Sequence, residues 1–333
     1  MMINVAINGF GRIGRNFVRA LEENPQDINI VAVNDLGSID QLAHLLKYDT
    51  TLGVFPKDIS LDRNKLVIGD KEILVYQERN PENLPWEKHD IDVVLESTGV
   101  FNDGHKAIAH LKSGARKVLI SAPASSVDLT IVQGVNHQYY DKKRHHIVSN
   151  ASCTTNCLAP IAKVLSKSFG ITSGFMTTIH AYTQDQNLQD APHKDMRRAR
   201  CAAQNIVPTS TGAAKAIGIV IPELNGKLDG GSVRVPVITG SMVDLTVMLE
   251  RDVSAEMVNK IVKEAANSTV LKGILEYTED EIVSSDIIHN PASSIFDAKL
   301  TKVIDGRMLK IVCWYDNEWG FSNRLVDTVI QMA

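Results

Sequence analysis

The stretch Ser149–Cys157 reads SNASCTTNC and surrounds one cysteine with hydroxyl and amide side chains, whereas cysteine usually prefers apolar neighbours. Four interpretations of Cys153 are open: a metal ligand, half of a disulfide, a buried filler or a nucleophile. From Cys153 to Gly170 the apolar side chains have helical spacing, so Cys153 is predicted at a helix N-terminus. Unpaired N–H groups at such a terminus stabilise an anion, which favours the thiolate and therefore a nucleophile.

The second cysteine of the stretch, Cys157, lies four residues further on. Such neighbours on one helix face have Cβ atoms about 5–6 Å apart, whereas a disulfide needs about 3.8 Å. A zinc site needs about four ligands, and no CxxC or HxxxH partner is found nearby. We therefore interpret Cys153 as the nucleophile and Cys157, which precedes apolar Leu158, as a structural residue. Cys201 and Cys313 belong to no motif and are predicted to be packing residues.

A nucleophilic cysteine needs a base, and among ten histidines His180 has the most suitable setting. It ends the predicted strand 173–180, SGFMTTIH, and a residue at the end of a rigid strand is well placed for chemistry. A histidine that is merely hydrogen-bonded within the core is the alternative, and the residues around His180 leave that interpretation open.

Cationic and hydroxyl side chains follow His180 in three segments. The basic segment 192–205 suits a solvated helix face, a nucleic-acid patch or an anion site. No aromatic residues interleave with its cations, which disfavours nucleic acid. The segment 208–218 places hydroxyls and Gly212 before a predicted helix, and Arg234 lies inside an apolar strand, where it needs an anionic partner. Together these residues predict a phosphorylated substrate.

The N-terminal residues predict a dinucleotide-binding site. An apolar strand at 3–8 is followed by GFGRIG and an amphipathic helix, the context that a GxGxxG fingerprint requires. Gly9 allows the tight turn, Gly11 lets the backbone approach a pyrophosphate, and Gly14 lets the helix pack against the strand. Asp35 ends a second strand, 28–35, where its carboxylate can accept the ribose hydroxyls of NAD. A cap of the next helix is the alternative role for Asp35.

Two further apolar runs, 92–101 and 117–124, are predicted as buried parallel strands that end in small polar residues. Because the carboxyl ends of parallel strands face the ligand crevice, Thr98 and Ser121 are candidate cofactor neighbours. Both residues suit a simple turn equally well.

Length and composition set the frame for these sites. At 333 residues, 44% hydrophobic and 22% charged, the chain is predicted to be a globular protein of two domains. Its net charge of −4 gives no general attraction to nucleic acid or to anionic membranes. Four cysteines do not make a disulfide framework in a chain of this length. With neither a signal peptide nor an apolar run of about 18 residues, a cytoplasmic protein is expected.

Over essentially its whole length the sequence resembles the phosphorylating glyceraldehyde-3-phosphate dehydrogenases, on the segments INGFGRIGR, SNASCTTNC, TTIHAYTQDQ, PTSTGAAKA, RVPV and WYDNEWGFSNRLVD. The resemblance implies an α/β protein with a Rossmann dinucleotide-binding domain at 1–151 and an α+β catalytic domain with a mostly antiparallel sheet at 152–316. A C-terminal helix at 317–333 would complete the first domain. NAD is the implied cofactor, glyceraldehyde 3-phosphate and inorganic phosphate are the implied substrates, and a homotetramer without metal is the implied assembly.

The resemblance further implies a role for each matching residue. Cys153 would form a thiohemiacetal and then a thioester, His180 would be the general base and acid, and Asn317 would orient the nicotinamide amide. The residues implied to bind substrate and inorganic phosphate are Ser152, Thr154, Thr183, Arg198, Thr211, Gly212 and Arg234. Those implied to bind NAD are Gly9, Gly11, Arg12, Ile13, Gly14, Asp35, Arg79, Ser121 and Asn317.

Two rival functions share this fold. Erythrose-4-phosphate dehydrogenases have the same cysteine and histidine but look altered around the TSTG segment, which is intact here. A non-catalytic NAD-binding or adhesion role is the second rival, and the intact Cys153, His180 and Arg234 argue against a loss of catalysis.

Overall fold

A computed structural model describes residues 2–333, and the chain divides into two compact units. Unit 1 comprises the residues up to Ile131 together with Gln138–Ala151 and Ser322–Ala333. Unit 2 comprises Val132–His137 and Ser152–Phe321.

Unit 1 alternates strands and helices along the chain. Its helices are α1 (Arg12–Glu23), α2 (Ile39–Lys47) and α3 (Gly104–Lys112). Its strands are β1 (Ile3–Asn8), β2 (Ile28–Asn34), β3 (Tyr48–Asp49), β4 (Gly53–Val54), β5 (Ile59–Asp62), β6 (Lys65–Ile68), β7 (Lys71–Tyr76), β8 (Val93–Glu96), β9 (Lys117–Ile120), β10 (Leu129–Thr130) and β11 (Ile147–Ser149).

Most of these strands form one sheet in the order β10-β11-β9-β8-β1-β2-β7-β6-β5, while β3 pairs with β4. Neighbours from β10 to β7 are parallel, and β6 and β5 extend the edge in antiparallel pairing. The chain proceeds from β1 to β2 and β7 and then returns to β8 on the other side of β1. The strand order therefore reverses beside β1, the position at which sheets of this Rossmann type bind ligands.

The central strands follow from their sequences. β8 (VVLE) and β9 (KVLI) are continuous runs of buried residues, as expected for parallel strands that are covered on both faces. The strands expected at 3–8, 28–35, 92–101 and 117–124 are confirmed, although the last two are shorter than predicted because each ends where its polar residues begin.

Unit 2 is built on a second sheet with helices against it. Its helices are α4 (Cys153–Phe169), α5 (Ala213–Val220), α6 (Ala255–Ala266) and the first turn of α7 (Trp319–Met332). Its strands are β12 (Ile171–Ala181), β13 (Val207–Thr209), β14 (Leu228–Val235), β15 (Ser241–Leu249), β16 (Leu275–Thr278), β17 (Ser294–Asp297), β18 (Lys302–Ile304) and β19 (Met308–Tyr315).

The second sheet has the order β13-β14-β12-β15-β19-β17-β16, with β18 paired to β19. Only β12 with β14 and β16 with β17 are parallel among its pairings within residues 2–333, so the expectation of a mostly antiparallel sheet is confirmed. Along β12, Thr178 and His180 are buried whereas Phe175 and Thr177 are exposed. Because α4 packs against β12, β15, β17 and β19, one face of the sheet is covered.

The boundary between the units departs from the expected 151/152 division at one short segment. Val132–His137 belongs to unit 2 because its residues pack there. The Nζ of Lys163 donates a hydrogen bond to the carbonyl of Val135. A Cβ added at Gly134 would lie only 2.7 Å from Cδ2 of Leu271, so the backbone is tightly seated at that point.

The C-terminal helix was expected at 317–333, and α7 begins at Trp319. Its first turn packs within unit 2, where a Cβ at Gly320 would lie 2.5 Å from a backbone carbonyl, and the residues from Ser322 belong to unit 1. Leu325 and Val329 are fully buried, but Ile330, which the apolar pattern also suggested, is 42% exposed. Within residues 2–333 no helix combines the length and the apolar character needed to cross a membrane.

Candidate active site

Cys153 is the first residue of α4, as the sequence predicts. Ser152 precedes it as the N-cap, and its Oγ accepts a hydrogen bond from the N–H of Thr155 at 3.0 Å. Ala151 has a φ of +58°, a left-handed conformation that is uncommon outside glycine. The Cys153 side chain is half-buried and lies at the positive end of the helix dipole, where negative charge is stabilised.

His180 lies near the end of β12, is 5% exposed, and places its Nε2 3.5 Å from Cys153 Sγ. Burial, and then the charge of Arg234, lowers the pKa of His180 to about 4, so its imidazole is neutral at physiological pH. Burial raises the pKa of the Cys153 thiol, although Arg234 and the N–H of Thr154 oppose the rise. Desolvation thus outweighs the easier ionisation expected at a helix start. The resting pair is a thiol beside a neutral imidazole. The Nδ1 of His180 lies 2.7 Å from the carbonyl of Ala181, and in the tautomer that donates this hydrogen bond Nε2 is free to accept a proton.

Tyr315 of β19 links the elements that carry the two reactive side chains. Its hydroxyl lies 2.8 Å from Oγ1 of Thr154 and 2.8 Å from Oγ1 of Thr178. Thr154 follows Cys153 in α4, and Thr178 shares the buried face of β12 with His180. Tyr315 is 1% exposed, and its two hydroxyl contacts hold α4 against β12. Sequence reasoning missed this residue, and its only signal was the quoted segment WYDNEWG.

Arg234 lies directly beside His180 because the register of the parallel strands β12 and β14 pairs the two residues. Its Nη1 is 2.8 Å from His180 Nδ1, 3.1 Å from the carbonyl of Ala181 and 3.0 Å from Thr183 Oγ1. Its Nε is buried and has no hydrogen-bond partner within residues 2–333. A buried guanidinium donor without an acceptor, beside a threonine hydroxyl, fits an anionic group such as a phosphate.

Asp185, which sequence reasoning missed, supplies the counter-charge of this pocket. Its carboxylate accepts hydrogen bonds from the hydroxyl of Thr183 and from the guanidinium of Arg198. Burial raises the pKa of Asp185, but the Thr183 bond and the charges of Arg234 and Arg198 outweigh burial and lower it. An anionic ligand at Thr183 and Arg234 therefore competes with a carboxylate of the chain itself. The sequence signal for Asp185 was its position two residues after Thr183, a residue already expected in the phosphate pocket.

Arg198 belongs to the basic segment 192–205, which contains no α-helix, so the interpretation as a solvated helix face is wrong. Its Nε donates to Thr209 Oγ1 at 2.8 Å and its Nη2 to the carbonyl of Ser210 at 3.4 Å. The structure thus brings this arginine onto the hydroxyl segment 208–218, as an anion site requires.

The hydroxyls expected to bind substrate or inorganic phosphate are engaged within the chain. Ser152 caps α4, and Thr154 is 4% exposed and bonded to Tyr315. Thr211 Oγ1 accepts from the N–H of Ala213 at 3.2 Å, at the start of α5. Gly212 is the exposed N-cap of α5 and has no side chain of its own to cap the helix. The N-terminal backbone of α5 is therefore the more open anion-binding feature.

Cys157 and Cys313 are buried, whereas Cys153 and Cys201 are half-buried. All four cysteines are free. Cys157 is fully buried with its Sγ 3.6 Å from Ser294 Oγ, and burial raises its pKa well above the ordinary value. Cys313 is 1% exposed, and burial raises its pKa to about 12. Within residues 2–333, no group of three or more histidine, cysteine, aspartate or glutamate side chains is arranged to hold a metal ion.

The glycine turn after β1 forms a cradle at the reversal point of the first sheet. Gly9 has a φ of +93°, and a Cβ there would lie 2.6 Å from the backbone N of Thr98. A Cβ at Gly14 would lie 2.5 Å from the carbonyl oxygen of Gly9, so the helix and the turn touch. A Cβ at Gly11 would meet no atom of residues 2–333 within 4 Å. The backbone is therefore tightly packed at Gly9 and Gly14, whereas the space beside Gly11 at the N-terminus of α1 is free. A pyrophosphate fits such a site.

Asp35 follows β2 and does not cap the next helix, because Ser38 is the N-cap of α2 in a capping box with Gln41. Its Oδ2 accepts from the N–H of Phe10 at 2.8 Å, and its Oδ1 accepts from the N–H of Gly37 at 2.9 Å. The carboxylate is thereby fixed beside the glycine turn. Each carboxylate oxygen keeps a further lone pair, which fits the hydroxyls of a ribose.

Other residues expected to bind NAD occupy the ends of unit 1 strands or the start of α1. Arg12 and the half-buried Ile13 begin α1, and the Arg12 guanidinium pairs with Asp49. Arg79 is exposed after β7, and Ser121 immediately follows β9. Ser121 thus lies at the carboxyl end of a parallel strand, as the sequence predicts, and Arg79 lies three residues beyond the end of β7.

Asn317 belongs to unit 2 and is 5% exposed. Its Oδ1 lies 2.8 Å from Ser241 Oγ, 3.2 Å from the N–H of Gly240 and 3.4 Å from Thr239 Oγ1, all three of which donate to it. With the carbonyl oxygen engaged in this way, the NH2 group is the part of this amide that can donate to a ligand.

Two family models match the chain. The NAD binding domain of glyceraldehyde 3-phosphate dehydrogenase matches residues 3–104, and its C-terminal domain matches residues 152–317. The chain is 58% identical to a glyceraldehyde-3-phosphate dehydrogenase of Streptomyces coelicolor, 60% to one of Mycolicibacterium smegmatis and 55% to one of Geobacillus stearothermophilus. These alignments cover 99%, 99% and 100% of this chain and 98%, 98% and 99% of the respective relatives.

Proposed function

The chain belongs to the glyceraldehyde-3-phosphate dehydrogenase family, and on that premise we propose that it oxidises glyceraldehyde 3-phosphate with NAD and inorganic phosphate to 1,3-bisphosphoglycerate. The carrying observation is the 3.5 Å contact of Cys153 Sγ with His180 Nε2, beside the unpartnered Nε of Arg234. A nucleophile, a base and an anion pocket thus lie within unit 2. Sustained NADH formation from glyceraldehyde 3-phosphate, dependent on inorganic phosphate, tests the proposal. No specific observation favours erythrose-4-phosphate oxidation or a non-catalytic role.

The first step joins the thiol to the aldehyde. Cys153 Sγ attacks the aldehyde carbon, and the thiol proton passes by way of His180 Nε2 to the former carbonyl oxygen. The product is a thiohemiacetal, and His180 is neutral again. Because the pKa of His180 is lowered to about 4, its imidazole is neutral at pH 7 and can take up the thiol proton.

The second step oxidises this adduct. Bound NAD supplies the hydride acceptor for the carbon that carries the sulfur. His180 removes the hydroxyl proton of the thiohemiacetal, so that a carbonyl re-forms as the thioester of Cys153. An oxygen of inorganic phosphate then attacks the thioester carbon, the S–C bond breaks, and the imidazolium of His180 returns its proton to the sulfur. Cysteine suits both halves because it is a strong nucleophile and a good leaving group.

Two sets of residues would hold the reactants. The phosphate of the substrate would be bound by Arg234 and Thr183. The attacking phosphate would be bound by Arg198, Ser152, Thr154, Thr211 and Gly212. Unit 1 would be the NAD-binding domain. The cofactor would be held by its glycine turn and by Arg12, Ile13, Asp35, Arg79 and Ser121. The NH2 group of Asn317 would hydrogen-bond the nicotinamide carboxamide.

Replacing Arg234 with glutamine tests the anion pocket. We expect kcat/KM for glyceraldehyde 3-phosphate to fall by about 10²-fold or more, because hydrogen bonds to a charged group are worth about 1.5–3 kcal/mol each. With D-glyceraldehyde, which has no phosphate, the loss should stay below about tenfold. The exposed Arg251, replaced in the same way, is the control. Equal losses on both substrates would show that Arg234 does not bind the phosphate.

Replacing Asp35 with asparagine tests the preference for NAD over NADP. A 2′-phosphate within about 4 Å of this carboxylate is repelled by about 4 kcal/mol at an effective dielectric near 20, before screening. We therefore expect the wild type to favour NAD by about 10² or more in kcat/KM and the variant to lose at least about tenfold of that ratio. Asp40→Asn, on the first turn of α2, is the matched control. An unmoved ratio in Asp35→Asn would contradict the assignment.

A homotetramer is supported by the uncovered face of the unit 2 sheet. Phe175 is 72% exposed there, Met308 41% and Met248 37%, on three adjacent strands. An apolar sheet face of this kind is typical of a subunit interface, and closed symmetry is the usual outcome of self-association. Light scattering should give a molar mass of about 146 kDa, four times 36.6 kDa. A mass near that of one chain would contradict the proposal.

We place this enzyme in the cytoplasm. The net charge of −4 gives no general attraction to anionic membranes, which is compatible with this location.

A further inference from the structure

A carboxylate in the interior of unit 1 has no part in the chemistry described above. Glu96 ends β8 and is 1% exposed. Its Oε1 accepts from the backbone N–H of Thr98 at 2.8 Å and also from the hydroxyl of that residue. Its Oε2 accepts from Asn8 Nδ2 at 2.6 Å and lies 3.0 Å from His110 Nε2. Every lone-pair direction of the carboxylate is therefore engaged, by the half-buried Thr98 at Oε1 and by the buried Asn8 and His110 at Oε2.

His110, on α3, is fully buried, and its neighbours define its tautomer. The indole Nε1 of Trp86 lies 3.1 Å from His110 Nδ1. An indole nitrogen only donates, so Nδ1 is the unprotonated acceptor and Nε2 carries the hydrogen that it donates to Glu96. Trp86 thus holds the His110 ring in the tautomer that donates to the carboxylate.

The cluster continues to the next strand. Asn34, at the end of β2, donates from Nδ2 to Asn8 Oδ1 at 2.7 Å. It also exchanges two hydrogen bonds with the backbone of Glu78, each 2.8 Å long. We call this cluster the Glu96–His110 network; its members are Asn8, Asn34, Trp86, Glu96 and His110. The network joins the carboxyl ends of β8, β1 and β2 to the segment after β7.

Each strand end or segment held by the network continues into a loop that carries a proposed cofactor contact or, at Thr98, a candidate cofactor neighbour. Gly9 follows Asn8, Asp35 follows Asn34, Arg79 follows Glu78, and Thr98 lies two residues after Glu96. The last loop is also tied to the glycine turn, since Ser97 Oγ donates to the carbonyl of Gly9 at 2.7 Å. The network thus underlies the loops while its own side chains remain buried.

We propose that the Glu96–His110 network positions the loops that bind the adenosine and pyrophosphate of NAD, which makes Glu96 and His110 positioning residues for cofactor affinity. An apolar core of the same volume would hold the strands together without fixing these loop starts. A satisfied buried network specifies one arrangement, and it tolerates no partial loss of partners. This inference rests on the proposed NAD-binding function of unit 1.

Glu96→Gln is the first test. The amide keeps the shape of the carboxylate but places an NH2 group against two hydrogen-bond donors. The strand ends from which the loops begin should then no longer be held in one position. We expect the Kd for NAD of the full-length protein to rise about tenfold or more, the size usual for losing a supporting partner of a binding site. ADP-ribose should weaken in parallel, whereas kcat at saturating NAD should stay within about twofold of wild type.

Val118→Ala is the matched control, because Val118 is fully buried on the adjacent strand β9 and belongs to a separate apolar cluster. The free energy of unfolding is measured for both variants. NAD affinity within about twofold of wild type in Val118→Ala, together with the tenfold loss in Glu96→Gln, supports the proposal. Equal losses in both variants, or an unchanged Kd in Glu96→Gln, overturn it.

Trp86→Phe decides the question if Glu96→Gln does not fold. It removes only the indole donor and lets His110 exchange tautomers, so the Kd for NAD should rise about threefold or more at an unchanged kcat. A wild-type Kd in this variant overturns the proposal. Failure of the wild-type protein to bind NAD would instead contradict the proposed function, so the two failures are distinguishable.

Discussion

Replacing Cys153 with serine is expected to lower turnover of glyceraldehyde 3-phosphate by at least about 10⁴-fold. The serine hydroxyl keeps the helix start and its position 3.5 Å from the imidazole, but it is a far weaker nucleophile at pH 7. The oxygen ester that would form is also a poorer acyl donor to phosphate than a thioester. The effect therefore falls on both halves of the reaction, and steady-state NADH formation measures it.

Cys157→Ser is the control for this experiment. Cys157 lies one helical turn from Cys153, is fully buried and contacts Ser294, so a serine there can keep a hydrogen-bond partner. We expect activity within about fivefold of wild type and a loss of about 1 kcal/mol in the free energy of unfolding. Stoichiometric iodoacetate should label Cys153 and abolish activity. A Cys153→Ser variant within about tenfold of wild type would rule out the covalent mechanism.

Replacing His180 with asparagine is expected to lower the rate of hydride transfer by about 10²–10⁴-fold. Asparagine cannot accept the hydroxyl proton of the thiohemiacetal, whereas the wild-type imidazole is neutral and positioned to do so. The variant should also alkylate at Cys153 with a higher apparent pKa, because no base then faces the sulfur. Single-turnover absorbance of NADH and the pH profile of iodoacetamide labelling measure the two effects.

His105→Asn serves as the control, because His105 is exposed on the first turn of α3. Its rates should match wild type within about twofold. A His180→Asn variant with a wild-type hydride-transfer rate would remove His180 from the role of base. An unchanged alkylation profile would show that the sulfur gains no reactivity from the imidazole.

The sequence predicts the elements that depend on local pattern. The strand, glycine turn and helix at the N-terminus are read from GFGRIG, since Gly9 and Gly14 leave no room for a Cβ. The helix start at Cys153 follows from the apolar spacing of the residues after it, and the structure adds the Ser152 cap. The closeness of Arg234 to His180 does not follow, because it depends on the pairing of β14 with β12.

The remaining parts of the site depend on partners that are distant along the chain. Tyr315 contacts Thr154 across 161 positions of the chain, and the residues next to each of them do not predict this contact. Glu96 looks like the polar end of a buried strand until Asn8 and His110 are placed around it. The pKa directions at Cys153 and His180 depend on burial, which outweighs the helix-start effect inferred from local sequence.

A single turnover without inorganic phosphate tests the covalent mechanism most directly. The wild-type protein, mixed with NAD and glyceraldehyde 3-phosphate, should form one NADH per chain in a burst and then stop. Mass spectrometry of the quenched protein should find a 3-phosphoglyceroyl group on Cys153, and adding inorganic phosphate should release it as the acyl phosphate. Continued NADH formation without an adduct, or an adduct on another residue, would contradict the thioester of Cys153.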